Sequence, residues 1–206
     1  MAAGVGAALG LPLDAAGLDR SAGAAARAVE EVRAVDRERA RVYLEALFTE
    51  AGVPAARMEE VSACLQRLHG ERHLWGRTAE GTRAALDRLR SAGLRLGVVS
   101  NSDGRVEEAL EAAGLRDRFD VVLDSALVGV EKPDPAIFRA ALAALGVRPE
   151  QALYVGDLYE VDVVGARAAG MEAVLLGSAG GAARADCRRF GSLVALADDL
   201  LNGGRS

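Results

Sequence analysis

Four side chains in the second half of the sequence have the types and settings that handling a phosphoryl group requires. Ser100 ends the run Leu94-Arg95-Leu96-Gly97-Val98-Val99 and opens Ser100-Asn101-Ser102-Asp103-Gly104, just before a helical pattern. A hydroxyl there, with Asn101 beside it, can hydrogen-bond a phosphoryl oxygen alongside free backbone N–H groups. The same residues would also serve as an ordinary turn and helix N-cap. Lys132 lies in Gly129-Val130-Glu131-Lys132-Pro133-Asp134-Pro135, just before two prolines that fix the approach to a helix, and an ammonium held there could neutralise charge on a transferring phosphoryl group. Taken alone, it could equally be a loop lysine on the surface. Leu153-Tyr154-Val155 leads into Gly156-Asp157, with Asp162 one turn later. Two carboxylates so placed suit a hard, oxygen-preferring cation such as Mg2+, or else a helix cap and a solvated side chain.

The elements that must position these groups alternate. Apolar runs at 94–99, 121–123, 152–155 and 173–176 read as buried strands, and helical patterns fall at 79–92, 105–113, 135–145, 161–169 and 193–201. Such alternation implies right-handed crossovers and a parallel, Rossmann-like α/β sheet covered on both faces. Ligands of such sheets sit beyond the carboxyl ends of the strands, where Ser100, Lys132 and Asp157 fall. Before about residue 75 the texture is helical only: an amphipathic run over 24–48 stopped by Gly52 and Pro54, then a helix over about 58–68. The expected division is a helical unit over 1–75 and an α/β core over 76–206.

Composition narrows the function classes. A net charge of −5 with no basic stripe argues against nucleic acid as a partner. No stretch approaches the ~18 continuous apolar residues of a membrane span, and 1–10 lacks the basic flank of a signal peptide. Cys64 and Cys187 form no metal or disulfide pattern, which fits a reducing cytoplasm. Of the 25 basic residues only Lys132 is a lysine, as though this position alone needs a compact ammonium. His69, His73 and Trp75 read as surface, hinge or junction residues, and Arg72 or Arg77 could touch a substrate anion.

In order and context, the segments "GVVSNSDG", "GVEKPDPAIF" and "YVGDLYEVDVVGARAAGM" resemble the second, third and fourth motifs of the haloacid dehalogenase superfamily. The likeness spans about 75–176, and the helical first part resembles that family's inserted α-helical cap. The resemblance implies that Ser100 binds the phosphoryl group and that Lys132 holds the charge of nucleophile and phosphate together. It further implies that Asp157 ligates Mg2+, with Asp162 supporting metal or lysine. The acidic Asp157, where dehalogenases usually carry a Ser-Asn pair, points to the Mg2+-dependent phosphatase branch, acting on small phosphorylated metabolites. The other reading is a phosphate-binding relative without turnover. Neither oligomeric state nor substrate is legible.

The family's first motif, a strand ending in Asp-x-Asp or Asp-x-x-Gly-Thr that supplies the nucleophile, is not found. The nearest text, Leu11-Pro12-Leu13-Asp14-Ala15-Ala16-Gly17-Leu18, has leucine in place of threonine and makes a poor strand. No residue is therefore assigned as nucleophile, the chain reads as starting inside the cap, and little phosphatase turnover is expected of it. In the family sheet the missing strand lies centrally, between those at 94–99 and 152–155. If both neighbours are buried, even about five orphaned backbone groups at ~1–3 kcal/mol each rival a whole domain's ~5–15 kcal/mol. The expectation is a poorly stable fold unless residues 1–10 or a partner fill the gap.

Overall fold

The computed structural model describes residues 2–13, 15–30, 36–71, 78–177 and 186–203. Asp14, Arg72, His73, Trp75 and Arg77 lie outside them. The chain forms two compact units, one holding the first four helices and the other the described residues 78–177 and 186–203.

In the first unit, α1 (Ala2–Leu9), α2 (Ala15–Glu30), α3 (Asp36–Glu50) and α4 (Met58–Glu71) enclose Val5, Leu18, Ala25, Leu47, Phe48, Val61, Cys64 and Leu65. α3 ends where Gly52 takes a positive φ of 88°, so that Val53 N–H can return to the Phe48 carbonyl at 2.9 Å. Outside, Arg41 pairs with Glu38 and Glu45 one turn away on either side. Two expectations are corrected here. The amphipathic run over 24–48 falls in two helices packed on each other, α2 ending at Glu30 and α3 beginning at Asp36. Residues 1–10 do not supply a strand: Ala2–Leu9 is helical, with Val5 fully buried in this unit's core. Among the described residues beside Asp14, 11–13 lie in no strand and a helix begins at Ala15.

The second unit runs α5 (Thr82–Ser91), β1 (Gly97–Ser100), α6 (Val106–Ala112), β2 (Val121–Asp124), α7 (Ser125–Val128), α8 (Pro135–Leu145) and β3 (Leu153–Gly156). A π-helical turn (Tyr159–Val163) then leads into α9 (Val164–Ala168), followed by β4 (Glu172–Leu176), β5 (Arg189–Phe190) and α10 (Leu193–Asn202). α8 shows how local sequence sets these bounds. Asp134 accepts the Ala136 N–H as N-cap, Pro135 takes the first position, and Gly146 closes the helix at φ 62°. Its buried face, Ile137, Phe138, Ala141 and Leu142, follows the helical period and packs across β1 and β2. α5 and α10 form a second layer through Ala85, Leu89 and Ala197.

All strand pairs are parallel, as expected of an α/β fold, but the sheet is in two parts: β1 with β2, and β3-β4-β5 in that order. Among the described residues no strand lies between β1 and β3. This changes the burial expected of the strands. Only β4 is a buried strand, with Ala173, Val174 and Leu175 at 4%, 1% and 1% exposure. β1 and β3 are half-exposed, and Leu94 falls outside β1 at 45% exposure. Backbone groups along those strands can therefore be hydrated, and the Val99 carbonyl accepts the Tyr154 hydroxyl at 3.3 Å.

Candidate active site

Ser100 is the last residue of β1, half-buried, at the carboxyl end where the strand gives way to a loop. Asn101 follows it and engages the segment of Lys132. Its side-chain carbonyl accepts the Lys132 N–H at 2.8 Å, and its amide donates to the Lys132 carbonyl at 3.0 Å. One side chain thus clamps the backbone of the sole lysine from both sides. Both ends of its amide engage the Lys132 backbone, so Asn101 positions the lysine.

The Lys132 ammonium points into the unit. It donates to Asp162 Oδ1 at 2.8 Å and to the Tyr154 hydroxyl at 3.1 Å. Asp162 is 2% exposed and Lys132 13%. A carboxylate so deep persists only when paired and fully hydrogen-bonded. Its Oδ2 meets the second condition by accepting the N–H groups of Asp157 and Leu158, each at 3.0 Å. The π-helical turn carries Asp162 to this point, and Gly156 leaves the space, since a Cβ there would collide with Asp162 Cβ and Cγ. Asp162 thus supports the lysine directly.

Electrostatics follows from this packing. Burial, the largest single influence, would lower the Lys132 pKa, but the Asp162 charge, Tyr154 and the hydrogen bonds to both together outweigh it and the net shift is upward, so Lys132 is a fixed cation. Burial pushes the Tyr154 hydroxyl up to about 12, against the opposing pull of Lys132. Asp157, at the carboxyl end of β3, is held above the usual carboxylate range, first by desolvation among surrounding protein atoms and then by the charge of Asp162.

The structure therefore ties Asn101, Lys132, Tyr154 and Asp162 into one hydrogen-bonded network, with Ser100 and Asp157 each adjoining it in sequence. Tyr154 was missed as a site residue because it reads as one more apolar strand position. Its ring stacks edge-on against Phe138 with centroids 4.8 Å apart, while its hydroxyl joins Lys132, Asp162 and Val99. His69 lies in α4, in the first unit. Among the described residues, no three His, Cys, Asp or Glu side chains gather as a ready metal cage.

Several known proteins are similar to this chain. The mouse haloacid dehalogenase-like hydrolase domain-containing protein 3 is 44% identical over 130 residues, covering 63% of this chain and 51% of that protein. A Thermus thermophilus phosphoserine phosphatase is 43% identical over 137 residues, 66% of this chain and 53% of that protein. The chain thus spans about half the length of the curated relatives it matches. The crystal structure of a HAD phosphatase from Thermococcus onnurineus superposes with a TM-score of 0.59 at 26% identity, over 92% of this chain and 90% of that one. The model of the haloacid dehalogenase-like hydrolase family matches residues 9–170, most of both units, and the chain belongs to that family.

Proposed function

We propose that this chain carries the phosphate-holding part of a Mg2+-dependent phosphatase acting on small phosphorylated metabolites, with the helical first unit as its cap. The observation that carries the reading is the Lys132–Asp162 pair. The only lysine of the chain is held charged, mostly buried and clamped at its backbone by the residue next to Ser100. A cation so fixed is ready to meet a phosphoryl group without reorganising. That one relative is named a phosphatase supports the same class.

In this reading the Ser100 hydroxyl donates to a phosphoryl oxygen at the carboxyl end of β1, and Lys132 balances its charge. Asn101 and Asp162 keep the ammonium in place. For a divalent cation, the donor chemistry fits at one position: Asp157 is a carboxylate disfavoured in its charged form, so a nearby cation relieves it. A single carboxylate is enough for Mg2+, which keeps several waters and takes phosphate oxygens as further ligands. Bound there, Mg2+ would supply Lewis-acid neutralisation of phosphoryl charge. No described residue is assigned the part of attacking carboxylate, so this chain alone is expected to bind phosphate esters and hydrolyse them little.

The test is p-nitrophenyl phosphate hydrolysis with Mg2+, together with a titration of inorganic phosphate. Phosphate binding that Lys132→Met abolishes supports the reading, and its absence in the unaltered chain overturns it. Steady hydrolysis that Asp157→Asn removes would overturn the low turnover. A second reading, a phosphate-binding protein without turnover, is favoured by the lack of a strand between β1 and β3 among the described residues. The upstream reading frame separates the two. An encoded strand ending in Asp-x-Asp or Asp-x-x-Gly-Thr, whose inclusion gives hydrolysis, supports the phosphatase, and a stop codon supports the binder.

A further inference from the structure

The loop after β1 hangs from the tip of β2. Ser100 stands in register with Asp124, the last residue of β2, whose side chain is buried at 3% exposure. Asp124 Oδ2 accepts the N–H groups of Gly104 at 3.0 Å and Val106 at 3.2 Å, and its Oδ1 accepts that of Ala126 at 3.0 Å. Next to it, the Ser125 hydroxyl accepts the Ser102 N–H at 3.1 Å and donates to the Ser102 carbonyl at 3.4 Å. Residues 102, 104 and 106 are thus each held by one of two consecutive side chains, the last of β2 and the first of α7. The arrangement asks for a carboxylate: the three N–H groups arrive at both of its oxygens, and a buried charge is tolerated because they satisfy it. At the start of the same loop Asn101 grips Lys132, so the line Asp124/Ser125, loop, Asn101, Lys132 is continuous in hydrogen bonds and backbone.

We propose that Asp124 and Ser125 are positioning residues of the site. From the junction of β2 and α7, which itself supplies no phosphate-holding group, they fix the loop that sets the Ser100 hydroxyl and, through Asn101, the Lys132 backbone. This rests on the reading of Ser100 and Lys132 as phosphate-holding groups. A side chain needed only for folding would alter thermal stability without altering the affinity of the molecules that remain folded. A side chain that aims the loop alters affinity itself, because small displacements of binding groups are costly.

The experiment titrates inorganic phosphate in Mg2+ buffer into the whole chain, well below each variant's melting temperature. Asp124→Asn keeps one acceptor oxygen and turns the other position into a donor facing N–H groups, and it is expected to weaken phosphate binding about tenfold or more. Ser125→Ala is expected to weaken it less, and Ser125→Thr, which keeps the hydroxyl, to restore it. Leu89→Ala, in the α5–α10 core, is expected to lower the melting temperature and leave affinity unchanged. Wild-type affinity in both Asp124→Asn and Ser125→Ala, with affinity lost in Lys132→Met, overturns this inference and leaves the functional reading standing. If Asp124→Asn does not fold, the Ser125 pair decides. If Lys132→Met binds phosphate as tightly as the unaltered chain, the functional reading falls and this inference with it.

Discussion

Gly156 and the carboxylate of Asp162 occupy adjoining space: a methyl group on Gly156 would overlap Asp162 Cβ and Cγ, and the freed room lets Asp162 receive the N–H groups of residues 157 and 158. Gly156→Ala is therefore expected to displace Asp162 and to cost about 1–3 kcal/mol, the usual range for overpacking a tight interior. Urea denaturation measures the loss. Unchanged stability would mean that the turn yields more easily than its contacts suggest.

Removing Lys132 leaves the buried Asp162 charge uncompensated. Lys132→Met is expected to destabilise the second unit by about 3–5 kcal/mol. Lys132→Met combined with Asp162→Leu should recover much of that, since no unpaired charge then remains. A double-mutant cycle by chemical denaturation gives the coupling, and additive losses would contradict a strongly coupled pair.

Alkaline pH acts on the same network with a definite sign. Lys132 is raised above its ordinary 10.5, and Tyr154 is raised from 10.0 to about 12, so the folded chain keeps protons that the unfolded chain has released. Stability is therefore full below about pH 10 and falls as pH rises towards and past about 12. Tyr154→Phe removes one of the two contributions, and its stability should decline less steeply between pH 10 and 12 than that of the unaltered chain. Equal slopes would show that Tyr154 titrates normally.

Asp157 obeys the opposite logic to a salt-bridged carboxylate. Its raised pKa means that folding disfavours the ionised form, so its contribution is lost as pH climbs from 3.8 through the folded value. Asp157→Asn should then raise the melting temperature at neutral pH without metal, with the gain vanishing in acid. Added Mg2+ should stabilise the unaltered chain and not the variant. Thermal scans with and without Mg2+ check both.

How much of this was legible depends on how far apart the partners lie in sequence. The bounds of α8 follow from Asp134, Pro135 and Gly146, all within or beside the helix, and local reading finds them. The division into α2 and α3 leaves no such mark, because 24–48 contains neither proline nor glycine, so a helical pattern continues through the sequence. The settings of Ser100, Lys132 and Asp157 at strand ends are features of short segments. The clamp of Asn101 on Lys132 spans 31 residues, and Tyr154 meets Val99 across 55. Such partners appear only when separate strands are brought side by side. The half-exposure of β1 and β3 was hidden for the same reason, since an apolar run signals burial only if something is there to cover it.

The solitary lysine also makes this protein an unusual chemical reporter. Lys132 carries the only side-chain primary amine in the chain, so any acyl group that an amine-directed reagent leaves on a side chain marks that one position. Paired with Asp162, its nitrogen holds its proton and has no lone pair to offer. The speed of acylation in native protein would then count the moments at which the two partners separate, and a bound anion that holds the network shut would be read as protection.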